Sequence, residues 1–247
     1  MKIMTLNLMT DSLDLLEKVP FSTRSKAILK MIHQYDPDLI GVQELTENMF
    51  SYLQQLQKDY VFFGDSRHSM YNNEYTSILY KKDKFEQIDG STSWLSPHPD
   101  KPGSRFLLSQ FPRIVTQAHL KEKETGKILT FANTHLDANL PYMRTRQAKV
   151  LLSLLPEEHV ILTGDFNTVS DSPALQILQK RLKDAVSDDM GSTLCGRFGS
   201  LSHRYHPIDH IFYTNDILVS ETQKIKDTYD GVMPSDHYPV IMYACIL

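Results

Sequence analysis

The side chains able to do chemistry in this chain fall in short polar clusters, each beside an apolar run. Asn7 follows Ile3 to Leu6, Glu44 follows Leu39 to Val42, and His135 follows Leu129 to Thr134. Asp165 and Asn167 follow Val160 to Thr163, Asp209 precedes Ile211 to Tyr213, and Ser235, Asp236 and His237 precede Tyr238 to Met242. Amide and carboxylate oxygens are hard ligands that suit Mg²⁺ or Mn²⁺, whereas Zn²⁺ asks for His or Cys in the set. A divalent ion so held would bridge to a phosphate oxygen and offset transition-state charge. His237, beside Asp236 and with Asp209 to orient its imidazole, reads as an acid–base pair that activates or steadies water. Asp165 is placed to position that water, and Asn167 and His135 to donate hydrogen bonds to phosphoryl oxygens as charge develops.

Such residues need rigid supports, and the flanking runs supply them. Each cluster sits where a strand meets a loop, a junction at which a scaffold can hold a functional side chain. Ile3 to Leu8 alternates like a strand, and residues 22 to 35 carry Ala27, Ile28, Met31, Ile32 and Tyr35 on one helical face. Asp36-Pro37 stops that helix, Leu39 to Val42 is a short buried strand, and Thr46 caps a helix expected to run through Leu56. Val61 to Phe63, Ser77 to Tyr80, Arg113 to Leu120 and Ile128 to Thr134 read as strands. A helix over 141 to 155 follows, then a strand at Val160 to Thr163, a helix from Pro173 to Leu182, and strands near Ile208 to Tyr213 and Tyr238 to Ala244. Strand blocks with helices between them imply two packed sheets covered by helices, with the strand ends converging on one rim.

Six motifs in order carry a resemblance. Thr5-Leu6-Asn7, Val42-Gln43-Glu44, Asn133-Thr134-His135-Leu136-Asp137, Gly164-Asp165-Phe166-Asn167, Ile208-Asp209-His210-Ile211-Phe212 and Ser235-Asp236-His237 span nearly the whole chain. Each is weak alone; together the set resembles the endonuclease/exonuclease/phosphatase superfamily, which includes exonuclease III, DNase I and neutral sphingomyelinases. The resemblance implies a DNase I-like four-layer α/β sandwich, two packed mixed β-sheets flanked by helices, formed by residues 1–247 as one domain. It also implies roles. Glu44, with Asn7 and Asp236 nearby, would hold Mg²⁺ (or Mn²⁺). Asp165 would orient the attacking water, Asn167 would contact phosphate, and Asp209 and His237 would form the family's dyad. His135 matches a His of the sphingomyelinase and deadenylase branches, where DNA-repair nucleases carry Tyr; this departure weakens an abasic-site repair reading. Arg113, in Phe111-Pro112-Arg113-Ile114, is held as a phosphate contact because similar bacterial members carry arginine there.

Neighbouring residues receive blander readings. Asp137 and His210 point away from the motif faces if their strands continue, which gives them supporting roles. Tyr71, Tyr75 and Tyr80 are expected in core and rim packing, and Trp94-Leu95-Ser96-Pro97 as a strand leaving into a rigid loop. Arg144 and Arg146 follow His135 on a helix and could reach substrate or simply face solvent.

The whole-chain properties bound the substrate. A net charge of -4 over 247 residues gives no global basic footprint, so a dedicated duplex binder is disfavoured. A nuclease acting on DNA or RNA stays as the alternative, and a non-catalytic binding module ranks lower because every expected position holds a competent residue. Substrates in reach are a phosphorylated small molecule, a lipid head group or a nucleic acid, with no obligate protein partner evident. Cys195 and Cys245 form neither a metal spacing nor a disulfide framework. With no membrane-length apolar run, the expectation is a soluble, cytoplasmic protein. The stretches 65 to 75, 96 to 110 and 187 to 206 carry no readable signature of specificity.

Overall fold

The computed structural model describes residues 1–14, 19–195 and 202–247. The first half of the chain forms β1 (Lys2–Asn7), α1 (Phe21–Tyr35), β2 (Leu39–Leu45), α2 (Glu47–Leu53), β3 (Tyr60–Phe63), β4 (Tyr75–Lys81), β5 (Phe85–Trp94) and β6 (Ile114–Glu122). The second half forms β7 (Ile128–His135), α3 (Pro141–Leu154), β8 (Val160–Asp165), α4 (Pro173–Leu178), β9 (Lys183–Asp184), β10 (Asp209–Tyr213), β11 (Ile217–Lys224) and β12 (Val240–Ile246). The strands make two six-stranded sheets, in the orders β11-β12-β1-β2-β4-β3 and β5-β6-β7-β8-β10-β9. Both are mixed: β1 runs parallel to β2 and β7 to β8, while the flanking pairs β12–β1, β2–β4, β6–β7 and β8–β10 are antiparallel.

Alternation along each strand divides its side chains between two cores. Ile3, Leu39, Ile78, Phe131, Ile161 and Ile211 meet between the sheets. Their neighbours Met4, Ile40 and Leu79 pack beneath Ile28 and Met31 of α1 and Met49 of α2. On the far side Ala132, Leu162 and Phe212 pack beneath Ala148 and Leu151 of α3 and Leu175 of α4. The layering is therefore helix, sheet, sheet, helix, the four-layer α/β sandwich expected from the sequence.

Between the sheets the core turns polar just below the strand tips that carry the motif residues. Asn133, fully buried, donates from Nδ2 across the gap to the Val42 carbonyl (2.8 Å) and the Ser77 carbonyl (2.9 Å). Its Oδ1 accepts from Gln43 Nε2 at 2.7 Å and from Thr163 Oγ1 at 3.1 Å. Gly41 makes this approach possible: a Cβ there would lie 2.0 Å from Thr163 Oγ1 and 2.6 Å from Asn133 Oδ1.

Several boundaries differ from those read in the sequence, each for a local reason. The helix after Thr46 closes as α at Leu53 and tightens into a 3-10 turn over Gln54–Lys58, although Thr46 does cap it by accepting the Met49 N–H. The helix from Pro173 stops at Leu178; Leu182 stays buried because its N–H still reaches the Leu178 carbonyl at 2.9 Å. β9 and β11 escaped the sequence reading, and of β5 only the Trp94 end was read. All lie at or beside sheet edges, and the long polar face of β5 leaves no apolar alternation to detect. Tyr80 is buried as expected and Tyr75 half-buried, but Tyr71 is 76% exposed. Part of the 187 to 206 stretch lies outside the described residues. Cys195 and Cys245 are both free. Among the described residues no helix is long and apolar enough to cross a membrane.

Replacing Asn133 with Leu keeps the volume but removes the amide donor to the Val42 and Ser77 carbonyls and the oxygen that accepts from Gln43 and Thr163. The expected cost is about 3 kcal/mol of unfolding free energy, read from urea denaturation; an unchanged midpoint would show that apolar contact alone aligns the sheets.

Candidate active site

Strand parity sets the candidate residues over the inter-sheet core. Asn7 shares a face of β1 with Ile3 and Thr5, His135 one of β7 with Phe131 and Asn133, Asp165 one of β8 with Ile161 and Thr163, and Asp209 one of β10 with Ile211. Pairing then lines them up: the register sets His135 opposite Asp165 and Asp165 opposite Asp209. His210, one step on, falls on the outer face, where its ring stacks on Phe212 and Nδ1 meets Asp184 at 2.8 Å. That is the supporting role its parity implied. Asp137 likewise supports, its Oδ1 accepting the Asn139 and Leu140 N–H groups ahead of α3.

Glu44 breaks the parity rule. Even spacing from Ile40 and Val42 would aim it at the helices. Instead the β2–β4 ladder shifts register between Val42 and Leu45, and Glu44 adopts φ 61°. This bulge turns the carboxylate into the cleft. Glu44 Oε2 accepts the Thr10 N–H at 2.8 Å, and Asn7 Nδ2 donates to Glu44 Oε1 at 3.1 Å and to Asp165 Oδ2 at 3.0 Å. Asn167 also sits in the left-handed region, at φ 52°, which Asn tolerates. Its N–H donates to Asp165 Oδ1 at 2.8 Å and its Nδ2 to the Leu136 carbonyl at 3.1 Å.

Two overlapping clusters result. Ligand atoms of Glu44, His135 and Asp165 lie within 4.8 Å of one another, as do those of Asp165, Asp209 and His237. Asp209 Oδ2 holds His237 Nδ1 at 2.8 Å, which leaves Nε2 facing Asp165 Oδ2 at 3.9 Å; His135 Nε2 approaches the same oxygen at 3.6 Å. The segment around Thr193 anchors both partners. Thr193 Oγ1 accepts the Ile208 and Asp209 N–H groups, its carbonyl accepts the Tyr238 N–H, and Cys195 N–H donates to the Asp236 carbonyl.

Burial and charge set the protonation states. Burial, reinforced by the neighbouring Asp209 charge, pushes Asp165 up to about 7. Burial alone would lower His237, but the Asp209 charge and hydrogen bond, with Asp165 and Asp236, hold it well above its ordinary value. Burial, with Arg113 and Arg67 nearby, drives His135 well below the usual histidine range, so it stands as a neutral imidazole. Burial also raises Asp236, which lines the same cleft but lies outside both clusters. Asn7, expected as an oxygen ligand, presents its amide nitrogen to the carboxylates, because its Oδ1 already accepts the Met9 N–H at 2.9 Å.

With the geometry in place, comparison decides the family. A sequence model described as Endonuclease/Exonuclease/phosphatase family matches residues 4–237. The chain belongs to this family. An endonuclease/exonuclease/phosphatase from Bacteroides vulgatus superposes with a TM-score of 0.88 at 26% identity, covering 100% of this chain and 98% of that one. A mannosyl-6-phosphatase from Bacteroides thetaiotaomicron superposes at 0.86 and 25% identity, covering both chains fully at 100%. Protein angel of Drosophila melanogaster is 25% identical over 193 residues, 72% of this chain and 51% of that protein. The chain therefore spans about half the length of that relative.

In this family member the cleft holds about 810 Å³, and its lining includes Glu44, Arg67, Glu74, Arg113, Asn167 and Asp236. Arg113 is buried there. Arg144 and Arg146 are not in the lining: Arg144 donates to the Asp137 and Ala138 carbonyls, and Arg146 stacks over Phe106 and Tyr142. Three charged lining residues had no place in the sequence reading. Arg67 and Glu74 pair at 2.9 Å within the 65 to 75 loop, where no periodicity marks them. Arg24 was legible in principle, because a cation three residues after Phe21 and four before Ile28 interrupts the apolar face of α1. It donates to the Leu8 (2.6 Å), Met9 (2.8 Å) and Pro234 (3.3 Å) carbonyls, tying the loop after Asn7 to the loop before His237.

Asp209 raises His237, so the charged pair adds stability that is complete below about pH 6.5 and is lost as pH rises through the raised value. Asp209→Asn should bring the His237 titration midpoint down, measured on imidazole resonances by NMR. An unmoved midpoint would remove Asp209 as the cause.

Proposed function

We propose that residues 1–247 act as one Mg²⁺-dependent phosphoesterase domain that hydrolyses a phosphodiester or phosphomonoester by in-line attack of water. The observation that best supports this is the meeting of Glu44, Asp165, Asp209 and His237, from distant segments, at one rim beside a buried Arg113. The residues present fit a divalent cation. Hard oxygens crowd closely enough for burial and mutual charge to raise Asp165 and for burial to raise Asp236, and Asp209 Oδ1 is buried without a hydrogen-bond partner. A cation offsets that charge, and the oxygen-rich donor set favours Mg²⁺, with Mn²⁺ as a substitute. Glu44 would hold it, with Asp236 and Asn7 beside it; Asn7 serves only by turning its amide. Bound there, the ion would polarise the phosphoryl oxygens and offset developing charge.

The chain's own residues supply the remainder. Asp165, pushed up to about 7, is matched to accept a proton from water near neutral pH. His237, kept protonated by Asp209, offers its Nε2 proton toward the oxygen that gains charge. His135, neutral, and Asn167 donate hydrogen bonds to phosphoryl oxygens, and Arg113 contacts the phosphate. The mannosyl-6-phosphatase relative favours a phosphorylated sugar or similar small molecule, and the two free cysteines accord with a cytoplasmic setting. A nuclease of the same chemistry is the second reading, which the net charge of -4 disfavours. A binding module that has lost turnover fits less well, since each expected position is filled.

Asp165→Ala and His237→Ala should each lower kcat/KM by about a thousandfold with the circular dichroism spectrum intact. Chelation should abolish turnover and added Mg²⁺ restore it, assayed across sugar phosphates, oligonucleotides and sphingomyelin. Full turnover by the double variant would end the proposal.

A further inference from the structure

The sheets face each other in step, β4 over β6 and β7, β2 over β7 and β8, and β12 over β10. The rim is therefore ordered along the sandwich. Asp209, Asp236 and His237 occupy the β10–β12 end, and Glu44, His135, Asn7 and Asp165 the middle. Arg67 and Glu74, between β3 and β4, and Arg113, just before β6, occupy the other end.

That last end is a built wall. Arg67, 3% exposed, donates from Nη1 to Glu74 Oε2 at 2.9 Å and from Nη2 to the Asn72 carbonyl. Its guanidinium lies 4.4 Å over the Phe111 ring, and its carbonyl accepts Trp94 Nε1 at 3.0 Å. His68 packs edge-on against Trp94 at 5.6 Å, which closes the loop against the segment behind it. Arg113, 7% exposed, lines the cleft beside it and has no hydrogen-bond or ion-pair partner among the described residues; Nε of both arginines is buried without an acceptor.

Of the two desolvated guanidiniums only Arg67 has a carboxylate partner, Glu74, so Arg113 leaves the wall one positive charge without a counter-ion. A diester carries one charge and two non-bridging oxygens, and its chain must continue on both sides of phosphorus. A monoester at neutral pH is mostly dianionic, with three terminal oxygens that match guanidinium forks. Trp94, bonded to the Arg67 carbonyl, and Phe111, beneath the Arg67 guanidinium, hold that side chain in place. We infer that Arg67, held by Glu74, and Arg113 clamp a terminal phosphoryl group, so that the site selects phosphomonoesters over phosphodiesters. This rests on the phosphoesterase reading above and assigns Arg67 as a specificity-determining residue.

The test pairs two esters with one leaving group, p-nitrophenyl phosphate and methyl p-nitrophenyl phosphate, with calorimetric binding of inorganic phosphate in Mg²⁺. The wild-type protein should favour the monoester. Arg67→Gln should lower the monoester-to-diester ratio of kcat/KM by about tenfold or more and weaken phosphate binding by a similar factor. Arg67→Lys, which keeps a charge for Glu74 but loses the fork, replaces it if the Gln variant fails to fold. A wild-type preference for the diester, an unchanged ratio, or unchanged phosphate affinity would overturn the clamp while leaving the phosphoesterase reading intact. Wild-type turnover of neither these esters nor the wider panel would count against the phosphoesterase reading, and phosphate affinity alone would then decide the clamp.

Discussion

The site depends on one buried crossing between the two sheets. Asn133 rises from β7 and hydrogen-bonds to backbone carbonyls of β2 and β4, while its oxygen collects Gln43 from one sheet and Thr163 from the other. Apolar packing is non-directional and would let the sheets slide. Fixed donors and acceptors, buried where a broken bond costs its full desolvation, do not. Because the crossing lies two residues below the tips of β7 and β8, it levels His135 and Asp165 against Asn7 and Glu44. Gly41 is the steric counterpart, since any side chain there would occupy the space of Thr163 and Asn133.

Above that crossing the electrostatics are deliberately unbalanced. Most carboxylates gather at the middle and one end of the rim, with Arg24 beside them, while Arg67 and Arg113 stand at the other end with only Glu74. Burial makes each imbalance expensive unless a ligand relieves it. Burial, joined by neighbouring carboxylates, raises Asp165 and Asp236, while the neighbouring carboxylates raise His237 against its own burial. The backbone contributes as well. Glu44 and Asn167 both lie at positive φ, a cost of about 1–3 kcal/mol each that surrounding structure sustains. The first is the bulge that turns Glu44 inward, and the second places the Asn167 N–H on Asp165.

The central strands and long helices were legible because their residues bury two faces or one stripe, and burial writes a period into the sequence. β1, β2, β6, β7, β8 and β12 are of this kind, and so are α1 and α3. Strands with a long polar, exposed face write no such period, which is why all of Phe85–Trp94 but its last residue, and all of Ile217–Lys224, passed unseen. Among site residues, those on regular strands followed from parity. His135, Asp165 and Asp209 face inward as their spacing requires, and His210 faces outward. Arg67 and Glu74 lie in a loop, where position follows from contacts with Trp94 and Phe111 rather than from spacing.

By itself the sequence determined which chemistry is available. Hard oxygen donors, a His beside an Asp, and amide donors at strand ends in a known order specify the family, the sandwich and the residue types of the site, because those depend on local pattern and side-chain identity. Tertiary structure alone decided how they act. Which carboxylate is raised, which histidine is charged and which neutral, and which arginines face the cleft all depend on distances between residues far apart in the chain. The Glu44 bulge belongs to the same class, since its direction is set by pairing with β4 and by the Thr10 amide. Coulomb energy and desolvation act through space, and sequence separation carries no record of either.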